Sequence, residues 1–516
     1  MNYLTTYKIQ IIKHVRSVFT FNDTTGLTKA EIESIAEKLL EQTIPIPSET
    51  YEWLGSFIRY VQDKGEWLVY DNSIGLWHYE QDDMALKAIL TDFFQVIHDE
   101  ALAHKDGIMR LYASRMFSVS RVNQLTTRIK AGVQFKEAKA DALVERVYNL
   151  RYFDTDEGER VLIDISKPSF NIRKVRFAET QPMMLMHKAP VPIAANYSEP
   201  KLWLELIETY MMNDPVKIEY FKKVLAYMMS PYNYNQVLLY FIGSGRNGKS
   251  TIIKVIQDIL GPHAIRMNAE LLNSKPSPSF KKDDALAATE GRSLYIFNEI
   301  DERMVASTQN IKDLTEGGRD EFGNKVMTVV RPAYSRNYEI NISGIPIVVA
   351  NSLINMGDWS NLSPIFKRLI LVPFDYVITK EDPTILNRLA AEYPKIQAWL
   401  YLNYFQYKGV NLKDIVRPRD FQMLFNQYYE DSDIIKMFWN DCVDVTGNAS
   451  DVILRGTIYK MYEMYCRANG RKPIKNKGTN GFASLIKGYF PGMVNRSGNF
   501  YITGVKQSAY YQNEVV

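Results

Sequence analysis

The residues whose types and spacing most clearly indicate chemistry lie between positions 243 and 251. They spell GSGRNGKST, which fits the phosphate-binding pattern G-x-x-x-x-G-K-[ST]. An apolar run precedes this segment and an amphipathic run follows it, so we expect a loop between a buried strand and a helix. Backbone N–H groups of such a loop, together with the helix N-terminus, bind phosphate oxygens. The predicted ATP-binding residues are Gly243, Ser244, Gly245, Arg246, Asn247, Gly248, Lys249, Ser250 and Thr251.

A phosphate loop of this kind needs a metal ion and an acidic partner on a neighbouring strand. We expect Lys249 to reach the β- and γ-phosphates and Ser250 to bind Mg²⁺. After the apolar run 293–297, Asn298 stands where an aspartate is usual, and Glu299 follows it. Glu299 is therefore the candidate for activating water and for contacting the metal. For Asp301 and Glu302, which come next, a solvated position is the simpler interpretation.

Two further polar residues stand beside apolar runs downstream. The run 345–350 ends at Asn351, where AAA+ ATPases place a sensor of the γ-phosphate; a strand-end turn is the alternative. Arg368 stands just before the apolar run 369–372, as an arginine finger for a neighbouring subunit would, and a surface salt bridge is the alternative. Lys249, Glu299, Asn351 and Arg368 are the predicted catalytic residues.

The elements that must position these residues follow from the hydrophobic pattern. After Pro200, strand-like runs alternate with helix-like segments, which is typical of a three-layer α/β core. The first hundred residues are mostly helical in pattern, with an aromatic hairpin predicted over 66–79. The proline-rich stretch 189–200 is predicted to be a linker. We expect a multidomain α/β protein with a helical N-terminal domain over 1–190, a P-loop ATPase over 191–425 and a C-terminal domain over 426–516.

Composition and charge narrow the class of protein. The chain has 516 residues, of which 62 are Lys or Arg and 59 are Asp or Glu, so its net charge is small. It has no apolar run long enough to span a membrane and no signal-peptide pattern. Its two cysteines suit a reducing compartment. We therefore expect a cytoplasmic protein without a membrane partner.

The positive charge is concentrated near the C-terminus. Residues 452–506 contain ten Lys or Arg and a single acid, Glu463, so this segment carries a charge of +9. Such a concentration favours a polyanionic partner, and a solvated basic face is the alternative. Predicted helices over 457–468 and 480–489, followed by a strand pair within 493–503, fit a winged helix that binds duplex DNA; a role in subunit contact alone is the alternative. The basic candidates beside the second helix are Lys472, Lys475 and Lys477.

The order of these motifs resembles a known family. A phosphate loop, a Glu strand, the segment IKDLTEGG (311–318), a hairpin, an Asn strand and Lys-Arg before a strand are similar to superfamily-three AAA+ helicases. The pattern is more similar still to the phage/plasmid and poxvirus-type primase-helicases. In size and layout it resembles replication initiators of staphylococcal mobile elements.

This resemblance implies a homo-hexameric ring with ATP between subunits and single-stranded DNA in the centre. It also implies a DNA-gripping hairpin near 326–343, with Lys325, Arg331 and Arg336 as its basic residues. The family expects Gly-Gly-Asp before this hairpin, whereas here Gly317 and Gly318 are followed by Arg319 and then Asp320.

Together these patterns predict an ATP-dependent DNA helicase and replication initiator that binds double-stranded origin DNA and moves on one strand. A primase or polymerase is a further candidate partner. The alternatives are an origin-binding assembly switch or helicase loader without unwinding activity, and an unrelated NTPase such as a P-loop kinase. Primer synthesis needs paired carboxylates for two metals. The available pairs, Asp82 with Asp83 and Asp154 with Asp156, lack a supporting basic cluster.

Overall fold

The structure is a computed structural model of the full chain. It describes residues 3–41, 47–61, 64–71, 75–80, 82–132, 150–175, 188–298, 300, 304–318, 326–333, 337–355, 365–432, 434–468, 473, 476, 482–496, 498–509 and 511. The statements below concern these residues. Among them, none of the helices is both long and apolar enough to cross a lipid bilayer.

The N-terminal part is built of helices around a small antiparallel sheet with strand order β1-β2-β3. Its helices are α1 (Tyr3–Val18), α2 (Lys29–Leu40), α3 (Ser48–Gly55), α4 (Met84–Ala103), α5 (Gly107–Met116) and α6 (Val119–Gly132), and its strands are β1 (Ile58–Val61), β2 (Glu66–Asp71) and β3 (Leu76–Glu80). The predicted aromatic hairpin is confirmed, because β2 pairs with β3. Trp67 and Trp77 of this hairpin are buried in the same hydrophobic cluster as Phe93 and Phe94 of α4.

A second antiparallel sheet packs against the part of the chain that follows residue 190. Its strands are β4 (Leu150–Asp154), β5 (Arg160–Asp164) and β6 (Ile172–Lys174). Phe153 and Ile163 lie in one hydrophobic cluster with Trp203 and Leu239. Lys408 donates hydrogen bonds to the carbonyls of residues 165, 166 and 167 at 2.7–2.9 Å. These strands therefore share a core with the central sheet, described next.

Within the described residues, five parallel strands form the central sheet in the order β13-β7-β12-β9-β8. They are β7 (Leu238–Ile242), β8 (Ala264–Met267), β9 (Leu294–Asn298), β12 (Ile345–Ala350) and β13 (Leu369–Pro373). Both faces are covered by apolar side chains, because odd and even strand positions belong to two different hydrophobic clusters. Burial on both faces explains why these strands are continuous apolar runs in the sequence. The predicted α/β core is confirmed, and the structure adds that its sheet is parallel.

Helices lie on the faces of the central sheet. They are α7 (Lys201–Tyr210), α8 (Pro215–Met228), α9 (Lys249–Leu260), α10 (Lys282–Ala287), α11 (Thr308–Thr315), α12 (Ile385–Ala390) and α13 (Tyr393–Tyr407). The segment between β9 and β12 contains the antiparallel pair β10 (Thr328–Val330) and β11 (Tyr338–Ile340). This pair confirms the hairpin predicted from the sequence, although its turn residues 334–336 lie outside the described part.

The C-terminal part has its own hydrophobic core. Helix α14 (Arg419–Ser432) precedes this core and packs on the clusters of the central sheet through Phe421 and Tyr428. The helices of the C-terminal core are α15 (Ile434–Cys442), α16 (Arg455–Ala468) and the short α17 (Phe482–Leu485), which continues as a 3₁₀ turn to Tyr489. Its strands are β14 (Val443–Val445), β15 (Val452–Leu454), β16 (Gly492–Arg496), β17 (Asn499–Thr503) and β18 (Val505–Gln507). The predicted terminal strand pair is confirmed by the pairing of β16 with β17. Phe438, Tyr462, Phe482 and Ile502 are buried together here.

The start of β7 is fixed by one buried amide, which leads to a prediction about stability. The side chain of Asn233 accepts from Tyr227 Oη at 2.8 Å and from the Val237 N–H at 3.0 Å. Its Nδ2 donates to the Val237 carbonyl at 2.8 Å. We expect Asn233→Ala to lower the free energy of unfolding by about 1–3 kcal/mol, because buried polar groups lose their partners.

Hydrogen–deuterium exchange of residues 233–242 measures the loss of stability at the start of β7. Exchange in that segment should become faster in Asn233→Ala than in the exposed control Glu208→Ala. Equal exchange in the two variants would show that Asn233 does not fix the start of β7.

Candidate nucleotide site

The loop between β7 and α9 is rich in glycine and contains three residues with a positive φ. Gly245, Arg246 and Gly248 have φ values of 99°, 48° and 88°, in the left-handed region that favours glycine. A Cβ at position 248 would lie 2.3 Å from the ring of Tyr210. Glycine is therefore required at 248 both by backbone conformation and by the close approach of α7.

The amine of Lys249 is held inside this loop. Among the described residues it donates to the Gly243 carbonyl at 2.6 Å and to Asn247 Oδ1 at 2.9 Å, and it approaches Asn351 Oδ1 at 3.5 Å. Lys249 is only 4 % exposed, and this burial lowers its pKa to about 8. These partners are neutral oxygens, so an anion entering the loop would stabilise the charged amine.

Asn351 reaches Lys249 because of the strand order. β12 lies directly beside β7, and the last residue of β12, Ala350, is in register with Ile242 at the end of β7. The chain after β12 is then fixed through Tyr240, whose hydroxyl donates to the Ser352 carbonyl at 2.8 Å and accepts from the Ile354 N–H at 3.1 Å. The structure therefore brings together two residues that are 102 positions apart in sequence.

A cavity of about 750 Å³ opens over the loop. Residues 245–251, Asn298 and Asn351 line it, so most of the predicted ATP-binding residues share one pocket. Gly243 and Ser244 lie where the loop begins. Ser250 is exposed in the first turn of α9, beside Lys249. Its hydroxyl suits Mg²⁺, a hard cation that takes few protein ligands and completes its shell with phosphate oxygens and water.

Sequence patterns did not reveal the apolar and aromatic part of the cavity lining. Tyr210, Tyr376 and Ile378 form this part, and the two tyrosine rings lie 6.2 Å apart. Burial raises the pKa of Tyr210, and a hydrogen bond with Thr251 partly offsets that effect. The segment after β13 is tied to the loop, because the Ile378 N–H donates to the Arg246 carbonyl at 2.8 Å. An apolar, aromatic wall of this kind suits the base of a nucleotide.

The arginine proposed as a finger lies at the opposite edge of the sheet. Arg368 immediately precedes β13, whereas the phosphate loop follows the carboxyl end of β7, which is parallel to β13. Its Nη1 donates to Thr315 Oγ1 at 2.8 Å, and burial lowers its pKa. Arg368 does not line the cavity of its own chain. Any contact between this side chain and a nucleotide would have to be made with another subunit's site.

Several predicted site residues lie outside the described residues. These are Glu299, Lys325, Arg336, Lys472, Lys475 and Lys477. Of the predicted hairpin cations, Arg331 is described and is exposed directly after β10. Its backbone N–H donates to Asp283 Oδ2 at 3.1 Å, which ties the hairpin to α10. In the C-terminal part, the described cations Lys460, Arg467, Lys487, Arg496 and Lys506 are exposed.

The carboxylate pairs considered for primer synthesis have other roles in the structure. Asp154 accepts from Lys188 Nζ at 2.6 Å, and Asp156 accepts from a backbone N–H at 2.9 Å. Asp83 pairs with Lys130 at 2.6 Å and accepts from Trp67 Nε1 at 2.9 Å. Asp82 accepts from the Met84 N–H at 2.9 Å. Each of these carboxylates accepts a hydrogen bond from, or forms an ion pair with, a neighbouring part of the chain.

Comparison with known proteins gives a short match in sequence. No protein-family model matches the chain. Over 83 residues, 16% of this chain, it is 29% identical to "Putative primase C962R" of African swine fever virus, in isolates from a Namibian warthog and a Kenyan pig. The match spans 9% of the length of these viral relatives.

Comparison with solved structures gives a broader but weaker likeness. Apo structures of the NrS-1 C terminal region cover 70–71% of this chain and 98% of that region, at 10–11% sequence identity. Their TM-scores lie between 0.35 and 0.38. Scores this low do not establish a shared fold.

The buried amine of Lys249 leads to a prediction about pH. With a pKa of about 8, Lys249 in the free protein loses its charge well below the usual lysine range. We expect kcat/KM for ATP to fall as pH rises through about 8, because only the charged amine attracts phosphate. At saturating ATP the fall in kcat should begin at higher pH, since bound phosphate stabilises the charged amine.

Steady-state ATP hydrolysis between neutral pH and about pH 10 measures both profiles, with circular dichroism at each pH as the control for unfolding. A kcat/KM that stays level up to about pH 10, close to the ordinary lysine pKa of about 10.4, would contradict the prediction.

Proposed function

We propose that this protein is an ATP-driven DNA helicase that acts in the initiation of replication. The observation that carries the proposal is the nucleotide site. The buried Lys249 amine is held by neutral oxygens in a glycine-rich loop, and Asn351 comes from the adjacent strand. This arrangement suits a polyphosphate whose terminal group is attacked by water.

The roles of individual residues follow from their positions. Lys249 turns from the Gly243 carbonyl toward the β- and γ-phosphates. Asn351 lies close enough to Lys249 to orient the attacking water beside the terminal phosphate. Ser250 holds Mg²⁺, which offsets the charge that develops on the phosphate oxygens. Glu299, which follows the strand that ends at Asn298, is assigned the removal of the proton from water.

DNA as the partner is supported by charge and by similarity. The exposed cations of the C-terminal part suit a phosphate backbone, and so does Arg331 at the hairpin. The short sequence match to a viral protein named "Putative primase" points to DNA replication as the process. A ring of identical subunits, with six as the expected number, is supported by Arg368, which faces away from its own nucleotide cavity.

Strand displacement on a forked DNA tests the proposed activity. With ATP and Mg²⁺, the wild-type protein should separate the strands. Lys249→Ala should not, because the loss of the amine lowers ATP turnover by about a hundredfold or more. Lys254→Ala is not a suitable control, since Lys254 lines the cavity. Lys222→Ala, in α8 and outside the cavity lining, removes one positive charge as Lys249→Ala does and leaves the site intact.

The pattern of results separates the helicase from its alternative. DNA-stimulated ATP hydrolysis without unwinding would replace the helicase with an origin-binding assembly switch or a helicase loader. Absence of ATP hydrolysis by the wild-type protein, with and without DNA, would overturn the proposal.

A mixing experiment tests Arg368 as a residue that acts on another subunit's nucleotide. Arg368→Ala should bind ATP normally but lose turnover by about 10³-fold or more. Mixing it with Lys249→Ala should restore part of the activity, because some interfaces then join an intact loop to an intact arginine.

Thr315→Val is the matched control for this experiment. It removes the hydrogen-bond partner of Arg368 within the same chain and keeps the guanidinium. Thr315→Val should therefore retain most of its turnover. If the mixture were no more active than its two components, Arg368 would be a structural residue.

A further inference from the structure

Asn247 occupies a bridging position in the phosphate loop. Its Oδ1 accepts from Lys249 Nζ at 2.9 Å, and its Nδ2 donates to the Phe374 carbonyl at 3.0 Å. Phe374 directly follows β13, and its own N–H donates to the Ile242 carbonyl at 2.7 Å. The Asn247 side chain is buried, with the residue 3 % exposed. It therefore connects the loop lysine to the end of a neighbouring strand.

The orientation of the Asn247 amide is determined by its partners. One end faces a lysine amine, which can only donate, and the other faces a carbonyl oxygen, which can only accept. Exchanging the amide oxygen and nitrogen would set donor against donor and acceptor against acceptor. The amide thus makes both contacts in one orientation, and its oxygen is directed at Lys249.

Gly243 makes space for this bridge. A Cβ at position 243 would lie 2.1 Å from Asn247 Nδ2 and 2.5 Å from the Phe374 carbonyl oxygen. Gly243 is not among the glycines of the described residues that have a positive φ. Glycine is required here by the space that the Asn247 side chain and the Phe374 carbonyl occupy, and the backbone conformation does not require it.

We infer that Asn247 is a positioning residue, which acts on ATP through Lys249 and does not bind the nucleotide with its side chain. It holds the amine within the loop and fixes the loop to the carboxyl end of β13. When the Lys249 amine turns toward phosphate, the Asn247 side chain limits the positions that this amine can reach. This inference rests on the proposed function, because it concerns the same nucleotide site.

The first measurement separates positioning from binding. Asn247→Ala should lower kcat for ATP about 10- to 100-fold, because a displaced amine no longer meets the transition state. KM should change by less than about threefold. A raised KM with unchanged kcat would overturn the inference, since it would mean that the side chain contributes to binding equally in the ground and transition states.

Asn403→Ala is the matched control. Asn403 is also a buried asparagine, 8 % exposed, whose Nδ2 donates to a backbone carbonyl at 2.8 Å, but it lies in α13 and does not line the cavity. It should lose stability to a similar extent in thermal unfolding and keep its kcat. If Asn403→Ala lost kcat as Asn247→Ala does, the effect would be one of general stability, and the inference would fail. Should Asn247→Ala not fold, Asn247→Ser, which is too short to span both partners, serves the same comparison.

A double-mutant cycle tests whether Asn247 acts through Lys249. The rate of ATP hydrolysis at saturating ATP is measured for the wild type, Asn247→Ala, Lys249→Ala and the double variant. In the Lys249→Ala background, Asn247→Ala should cause no further loss, because its target is already absent. Equal losses in both backgrounds would overturn the inference. Absence of ATP hydrolysis by the wild type would instead overturn the proposed function, so the two failures are distinguishable.

Discussion

The parallel alignment of β7, β12 and β13 is the constraint on which the candidate site depends. The three strands end together, with Ala350 and Pro373 both in register with Ile242. The loop after β7 therefore meets Asn351 on one side and the Phe374 carbonyl on the other. An antiparallel neighbour would present its amino end at this edge, and the loop would lose one of these contacts.

The burial of Lys249 shows what this edge is suited to bind. An ammonium group in a buried position is unfavourable unless opposite charge or good acceptors surround it. Within the described residues, carbonyl and amide oxygens surround the amine, and no carboxylate pairs with it. Its pKa is therefore lowered to about 8, and a bound polyphosphate would supply the missing charge. The electrostatics of the pocket therefore favour an anion.

The loop of the candidate site could be predicted from the sequence, whereas the residues brought to it by long-range strand pairing could not. The loop has a local pattern, since positive φ values and close approach select glycine at fixed spacing. The insertion of β12 between β7 and β9 is a long-range pairing that apolar runs do not specify. Tyr210 and Tyr376 were missed because aromatic residues in a helix and after a strand fit core packing equally well. The tertiary structure brings both to the cavity: the chain after β13 returns to the loop with Tyr376, and Tyr210 at the end of α7 approaches Gly248.

β13 has a residue of the candidate site next to each of its two ends. Phe374, after its carboxyl end, accepts from Asn247 in the phosphate loop, and Arg368 precedes its amino end at the far edge of the sheet. The strand is buried along its length and hydrogen-bonded in parallel to β7. If Arg368 contacts a nucleotide in another subunit, the same strand also borders the nucleotide in its own. Such an arrangement would let the occupancy of one site bias the geometry of the next without a separate signalling element.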